Sequence, residues 1–170
     1  AVSFAFWPFS FDGFVGILLL GLWLVSLVIL IALAVYDIHW FELPDRLVFP
    51  LIALSGIFAL SRAYLAGDAS VAFGSFLGGA IIFSVFWALF QLSKGEWIGG
   101  GDVKIAFALG TFSGGSMEAF LIIFIASLLG TLITLPSLVA KGAIKGVKIP
   151  FGPYLIAATI IVVLFGNSIV

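Results

Sequence analysis

Apolar runs of membrane-crossing length recur along this chain, separated by polar connections no longer than about ten residues. A helix needs about 20 apolar residues to cross the hydrocarbon of a bilayer. Runs can be drawn at 14–36, 47–65, 71–92, 102–112, 117–139 and 149–165, and all but one reach or approach that length. Backbone polar groups find no water inside lipid, so a spanning segment is either a helix or a strand of a closed barrel. Barrel strands read as about ten residues of alternating character; these runs are longer and continuous. The expected fold is therefore an all-α polytopic membrane protein, a bundle of about six transmembrane helices. With 64% of residues hydrophobic and 9% charged, a water-soluble domain of 170 residues could not hide its apolar surface. The exception is the fourth run, whose apolar part of about eleven residues would make a helix of roughly 16 Å. Either it begins earlier, near Trp97, in a thinned or protein-buried position, or it is re-entrant.

The basic residues arbitrate. Arg46 lies between the first two runs, Lys94 and Lys104 flank the junction of the third and fourth, and Lys141, Lys145 and Lys148 lie between the last two. Six of the seven basic residues thus fall on alternate connections, with only Arg62 on the other side. Lysine and arginine concentrate on cytoplasmic loops. The pattern favours six crossings, both termini outside, and a cytoplasmic boundary for the residues beside these loops. In the third run, the Gly74-x-x-x-Gly78 spacing permits close helix approach and reads as a packing face inside one bundle.

Composition also closes off several chemistries. A net charge of −1 leaves no electrostatic footprint for nucleic acid. With no cysteine, disulfides, thiol nucleophiles and cysteine zinc sites are excluded, and the single histidine, His39, makes a histidine metal site or a Ser-His-Asp triad a poor reading. No metal or cofactor is expected. The N-terminus has neither a basic n-region nor a small-residue cleavage site, so no signal peptide is read there.

Two carboxylates stand out among the eight acidic residues: Asp37 closes the first run and Asp102 opens the fourth. A charge at membrane depth is unfavourable, by roughly 2.5–3.5 kcal/mol for a central position. An anion at a helix C-terminus also opposes the macrodipole, so Asp37 sits where local physics disfavours it. Asp102 follows Gly99, Gly100 and Gly101 and begins a helix, where the dipole favours an anion. By themselves these features also fit an interfacial helix end and a glycine linker with a capping aspartate. Lys104 does not share a helical face with Asp102, so a local ion pair is not the obvious explanation. Asp45, after Pro44 and before an apolar run, reads as the N-cap of the second helix with Arg46 as its charged neighbour. If Asp37 and Asp102 meet, the pair would share one proton. Its ionised member can deprotonate a water while its protonated member donates to a scissile carbonyl.

In order along the chain, Tyr36-Asp37, Leu43-Pro44-Asp45-Arg46-Leu47-Val48-Phe49-Pro50-Leu51, Gly99-Gly100-Gly101-Asp102-Val103-Lys104 and Pro150-Phe151-Gly152-Pro153-Tyr154 resemble the type IV prepilin peptidases and archaeal preflagellin peptidases. These are GxGD-type intramembrane aspartyl proteases, and the likeness runs from about residue 30 to the end. The resemblance implies that Asp37 and Asp102 form the catalytic pair. It makes Asp45 a supporting polar residue in the loop that follows Asp37, and Gly99 and Gly101 the glycines of the motif, with Lys104 counted as a further supporting residue. It further implies removal of a short basic leader from a prepilin-like or archaellin-like precursor at the cytoplasmic face of a prokaryotic inner membrane, just before the precursor's hydrophobic helix. Residues 1–170 read as a single membrane-embedded peptidase domain. Many bacterial members add a Cys-x-x-Cys domain that accompanies N-methylation. This chain has none, which leaves methyltransferase activity doubtful: it is a peptidase-only member, or part has been removed.

Two rival readings remain at this stage. Presenilin and signal peptide peptidases also pair Tyr-Asp with Gly-x-Gly-Asp, but their Pro-Ala-Leu motif is not found in this chain. A small proton-coupled transporter or channel subunit could use the two aspartates as a relay. Such proteins place coupling carboxylates near the midplane and often show internal repeats, and no repeat is visible here.

Overall fold

The computed structural model describes residues 7–9, 13–141 and 150–166, with side chains at 137–141 left aside. Lys145 and Lys148, on which the charge pattern partly leans, lie outside the described residues, as does the start of the last run at 149. Six helices occupy the described residues: α1 (Gly13–Trp40), α2 (Asp45–Ala66), α3 (Ala69–Ser93), α4 (Gly100–Ser113), α5 (Ser116–Lys141) and α6 (Gly152–Phe165). The protein is an all-α, multi-pass membrane protein. Four helices (α1, α2, α3 and, over Ser116–Pro136, α5) are long and apolar enough to cross a bilayer by themselves.

Helix α1 shows how the bundle is encoded. Its buried residues are Gly16, Leu19, Trp23, Ser26, Leu30, Leu33 and Asp37. Those spacings alternate three and four, the seam along which one helix meets others. Phe14, Ile17, Val28 and Ile31 face outward and are just as apolar. A helix apolar on all sides is the mark of a lipid-surrounded span. Asp37 is the last member of the inward seam, and the helix continues one turn beyond it to Trp40. That extends the first run, drawn to Tyr36, by four residues.

Helices α2 and α3 are antiparallel neighbours. Gly67, in the left-handed conformation at φ 65°, ends α2; its amide donates to the Tyr64 carbonyl and the Asp68 amide to the Ala63 carbonyl, a Schellman closure. Asp68 then caps α3, accepting from the Ser70 amide at 2.8 Å and from its hydroxyl at 2.6 Å.

Helix α4 lies at the centre. It starts at Gly100, not near Trp97, and nearly every residue from Asp102 to Ser113 is buried. At 14 residues it is roughly 21 Å long, too short for a lone span. Its neighbours α2, α3, α5 and α6 all pack on it, so protein rather than lipid surrounds it. The α3 contact is the tightest. A Cβ on Gly78 would stand 2.8 Å from the carbonyl oxygens of Gly110 and Gly115, and one on Gly110 would meet the Gly78 backbone. Glycine at the crossing lets the two backbones touch, which is the intramolecular packing face expected of this segment.

Candidate active site

Three connections reach one end of the bundle: the α1–α2 loop, the glycine run before α4, and the start of α6. The first two meet at Gly101. A Cβ there would lie 2.8 Å from Leu43 Cβ, so a side chain at position 101 would push the Leu43-Pro44 turn off the mouth of α4. Phe41 carries the chain out of α1 with φ 53°, a left-handed conformation uncommon for a bulky residue. Its amide still donates to the Asp37 carbonyl at 3.0 Å.

The third connection closes on Asp37. The Gly152 amide, at the first turn of α6, donates to Asp37 Oδ2 at 3.0 Å. A Cβ on Gly152 would lie 2.7 Å from that oxygen and 3.4 Å from Asp102 Oδ1. The two carboxyl oxygens are therefore separated by no more than the sum of those distances. Residues 37 and 102, far apart in sequence, meet at the space that a side chain on Gly152 would fill. Both are almost wholly buried, at 5% and 8% exposure. Asp102 is the third residue of α4 and reaches back to the Gly99 amide, while its Oδ1 has no hydrogen-bond partner among the described residues. Two helix N-termini, those of α4 and α6, thus converge on two carboxyls, each offering backbone amides and a positive dipole end.

Lys104 turns away from this pair, as its place on the helix requires. Its Nζ lies 2.7 Å from Asp45 Oδ1 and 3.0 Å from Oδ2, clamping α4 to the first turn of α2. This corrects the sequence reading of Asp45 on two counts. Pro44, with φ −66° and ψ 127°, occupies the N-cap and makes no side-chain capping bond, so Asp45 is the first helical residue. Its ionic partner is Lys104, not the adjacent Arg46. Around these groups lies a cavity of about 310 Å³ lined by Asp37, Phe41, Glu42, Leu43, Pro44, Asp45, residues 99–102 and Lys104. All six residues singled out from sequence, Asp37, Asp45, Gly99, Gly101, Asp102 and Lys104, line it.

Gly152 was quoted as part of a motif but not counted as a site residue. A glycine immediately before a proline at a helix start was the available signal, because Pro favours the first helical turn and leaves its neighbour's amide free to point elsewhere. Among the described residues no group of three or more His, Asp or Glu side chains is arranged to hold a metal ion.

The sequence matches the model of the type IV leader peptidase family over residues 24–135. A Xanthomonas campestris protein named prepilin leader peptidase/N-methyltransferase is 34% identical over 167 residues, 96% of this chain and 55% of the relative. The Pseudomonas aeruginosa protein of the same name is 37% identical over 164 residues, 96% of this chain and 54% of the relative. That of Dichelobacter nodosus is 37% identical over 151 residues, 88% and 50% respectively. The chain spans about half the length of the curated relatives it matches. No solved structure matches it.

Proposed function

Because the chain belongs to the type IV leader peptidase family, we propose that it is a membrane aspartyl endopeptidase. It removes the short basic leader from type IV prepilin-like, or archaellin-like, precursors at the cytoplasmic face of the inner membrane. The observation that carries this reading is the meeting of Asp37 and Asp102 at Gly152. Residues 1–170 serve as the membrane-embedded peptidase domain.

The chemistry follows from two facing carboxyls that hold one proton between them. The ionised member draws a proton from a water lodged between them, and the resulting hydroxide attacks the scissile carbonyl. The protonated member donates to the carbonyl oxygen as it becomes an oxyanion. Collapse of the tetrahedral species breaks the C–N bond, with the proton returned to the leaving amine. The Gly152 amide fixes Asp37 through its Oδ2, and Asp102 Oδ1 has its lone pairs uncommitted among the described residues. The site needs no metal for these steps. Burial beside a water-reachable cavity suits a substrate whose peptide bond leaves the membrane while its apolar helix stays in lipid.

Acidic groups at the cavity wall favour a basic leader. Asp37, Glu42, Asp45 and Asp102 line it against one lysine, already paired. The test is incubation of a full-length prepilin with the protein in liposomes, wild type beside Asp102→Asn. Cleavage at the leader junction by the first and none by the second is expected. Cleavage inside the membrane helix would support a general intramembrane protease instead, and solute uptake without hydrolysis would support a transporter.

A further inference from the structure

A second hollow lies beside the first. It is an apolar groove of about 380 Å³ on the outer face of the bundle, lined by Ile52 of α2, Ala80, Phe83 and Ser84 of α3, and Lys104 and Phe107 of α4. The two helices that flank it are tied at their far ends by the Gly67-Asp68 turn, and between them α4 forms the floor. Lys104 lines both hollows, so the groove begins where the site cavity ends. Phe107 stands five residues past Asp102 on α4, roughly 7.5 Å deeper into the bundle. Ala80 and Ser84, exposed and four residues apart, leave the α3 surface low at this point, and small residues let a neighbouring helix come close.

Resting on the leader-peptidase reading, we infer that this groove receives the apolar membrane helix that follows the cut in the precursor. Polarity along the path orients the occupant. Its basic leader lies toward Glu42, an exposed acid of the cavity wall, its scissile bond lies between Asp37 and Asp102, and its first apolar turns lie against Ala80, Phe83 and Phe107. A helix docked there passes Lys104 once and then meets almost no polar group, which matches a chain that is charged before the cut and apolar after it. Uniform binding of this kind lowers KM without changing kcat.

The experiment places a photoreactive benzoylphenylalanine at position 83, in a chain carrying Asp102→Asn, reconstituted in liposomes with full-length prepilin. The same probe at position 124 serves as control, since Phe124 is an exposed aromatic on α5 that does not line the groove. The expected result is a crosslink from position 83 to the first turns of the precursor's apolar helix, at least about tenfold more abundant than from position 124. In parallel, Ala80→Phe fills the groove and is expected to raise KM for full-length prepilin about tenfold with kcat within about twofold. Equal crosslinking at both positions, adducts to lipid alone at position 83, or an unchanged KM would each overturn the groove assignment. Failure of the wild-type protein to cut prepilin would instead overturn the peptidase reading, so the two failures are distinguishable.

Discussion

The two ends of α4 carry polar clusters of opposite logic. At its C-terminal end, Gly114 takes φ 98°, and a Cβ there would strike the Arg62 guanidinium; one on Gly115 would strike the Glu118 carboxylate. Arg62 feels the attraction of Glu118 and lies over the Phe9 ring at 4.9 Å, while the Ser113 hydroxyl donates to the Gly110 and Gly115 carbonyls. Opposite charges and donor–acceptor pairs face one another there. At the N-terminal end two carboxyls of like charge face each other, and Lys104, the one cation lining their cavity among the described residues, is held by Asp45. Charges arranged to satisfy each other fasten a structure; charges arranged against each other are costly unless they do something. The first cluster holds α4 in place, and the second uses the placement.

The sharpest way to break this contrast is to remove one acid from the like-charged pair. Asp37→Asn and Asp102→Asn should each lower prepilin cleavage by at least roughly 10²–10⁴-fold, the usual worth of a general acid or base. Both proteins should remain folded in the membrane, since an amide in place of a carboxyl relieves like-charge repulsion. The wild-type rate should also fall on both sides of an optimum. At low pH both acids hold protons and no base remains; at high pH both are ionised and no acid remains. A monotonic profile measured on a soluble leader peptide would break the shared-proton scheme.

Next in size is Gly152→Ala. Its methyl would stand 2.7 Å from Asp37 Oδ2 and 3.4 Å from Asp102 Oδ1, so the carboxyls must part. A displacement of about 1 Å at a reacting centre costs on the order of 10²-fold. Cleavage should drop by that order with little change in thermal unfolding. Near-wild-type cleavage would mean that the α6 N-terminus does not set the spacing.

At the opposite end the balance reverses. Gly114→Ala puts a side chain at φ 98° and against Arg62, a strain of about 1–3 kcal/mol. Thermal unfolding in detergent should move down, while the folded fraction should cut at close to the wild-type rate. Loss of cleavage without loss of stability would show that the far cluster reaches the site.

The sequence carried the parts of this arrangement that depend on local pattern. Asp37 could be singled out because a carboxylate ending so apolar a run is out of place, whereas the seam of Gly16, Leu19, Trp23, Ser26, Leu30 and Leu33 that carries it inward is hidden in a helix apolar on every side. The shared end of Asp37 and Asp102 followed from lysine placement, with Arg46, Lys94 and Lys104 on alternate connections. What escaped were the contacts that only tertiary packing creates. The Lys104–Asp45 pair joins residues 59 apart, and nothing local favours it over Arg46. Gly152 looks like any glycine before a proline until α6 is docked beside α1. The shortness of α4 left a thinned, protein-buried or re-entrant position open, and only its packing against α2, α3, α5 and α6 shows the surroundings to be protein.

The smallest expected effect concerns the loop carboxylate. The Lys104–Asp45 pair is close to half exposed on both sides, at 44% and 52%, and water screens such pairs to less than about 1 kcal/mol. Asp45→Asn should therefore shift unfolding only slightly, and a double-mutant cycle with Lys104→Met should return a coupling no larger than that. Its effect on cleavage should exceed its effect on stability, because the pair fixes the loop that carries Leu43 onto Gly101, but should stay below about tenfold. A loss at Asp45 as complete as that at Asp37 would move the second catalytic carboxyl from the end of α1 to the start of α2, and the like-charged pair would have to be redrawn around Asp45 and Asp102.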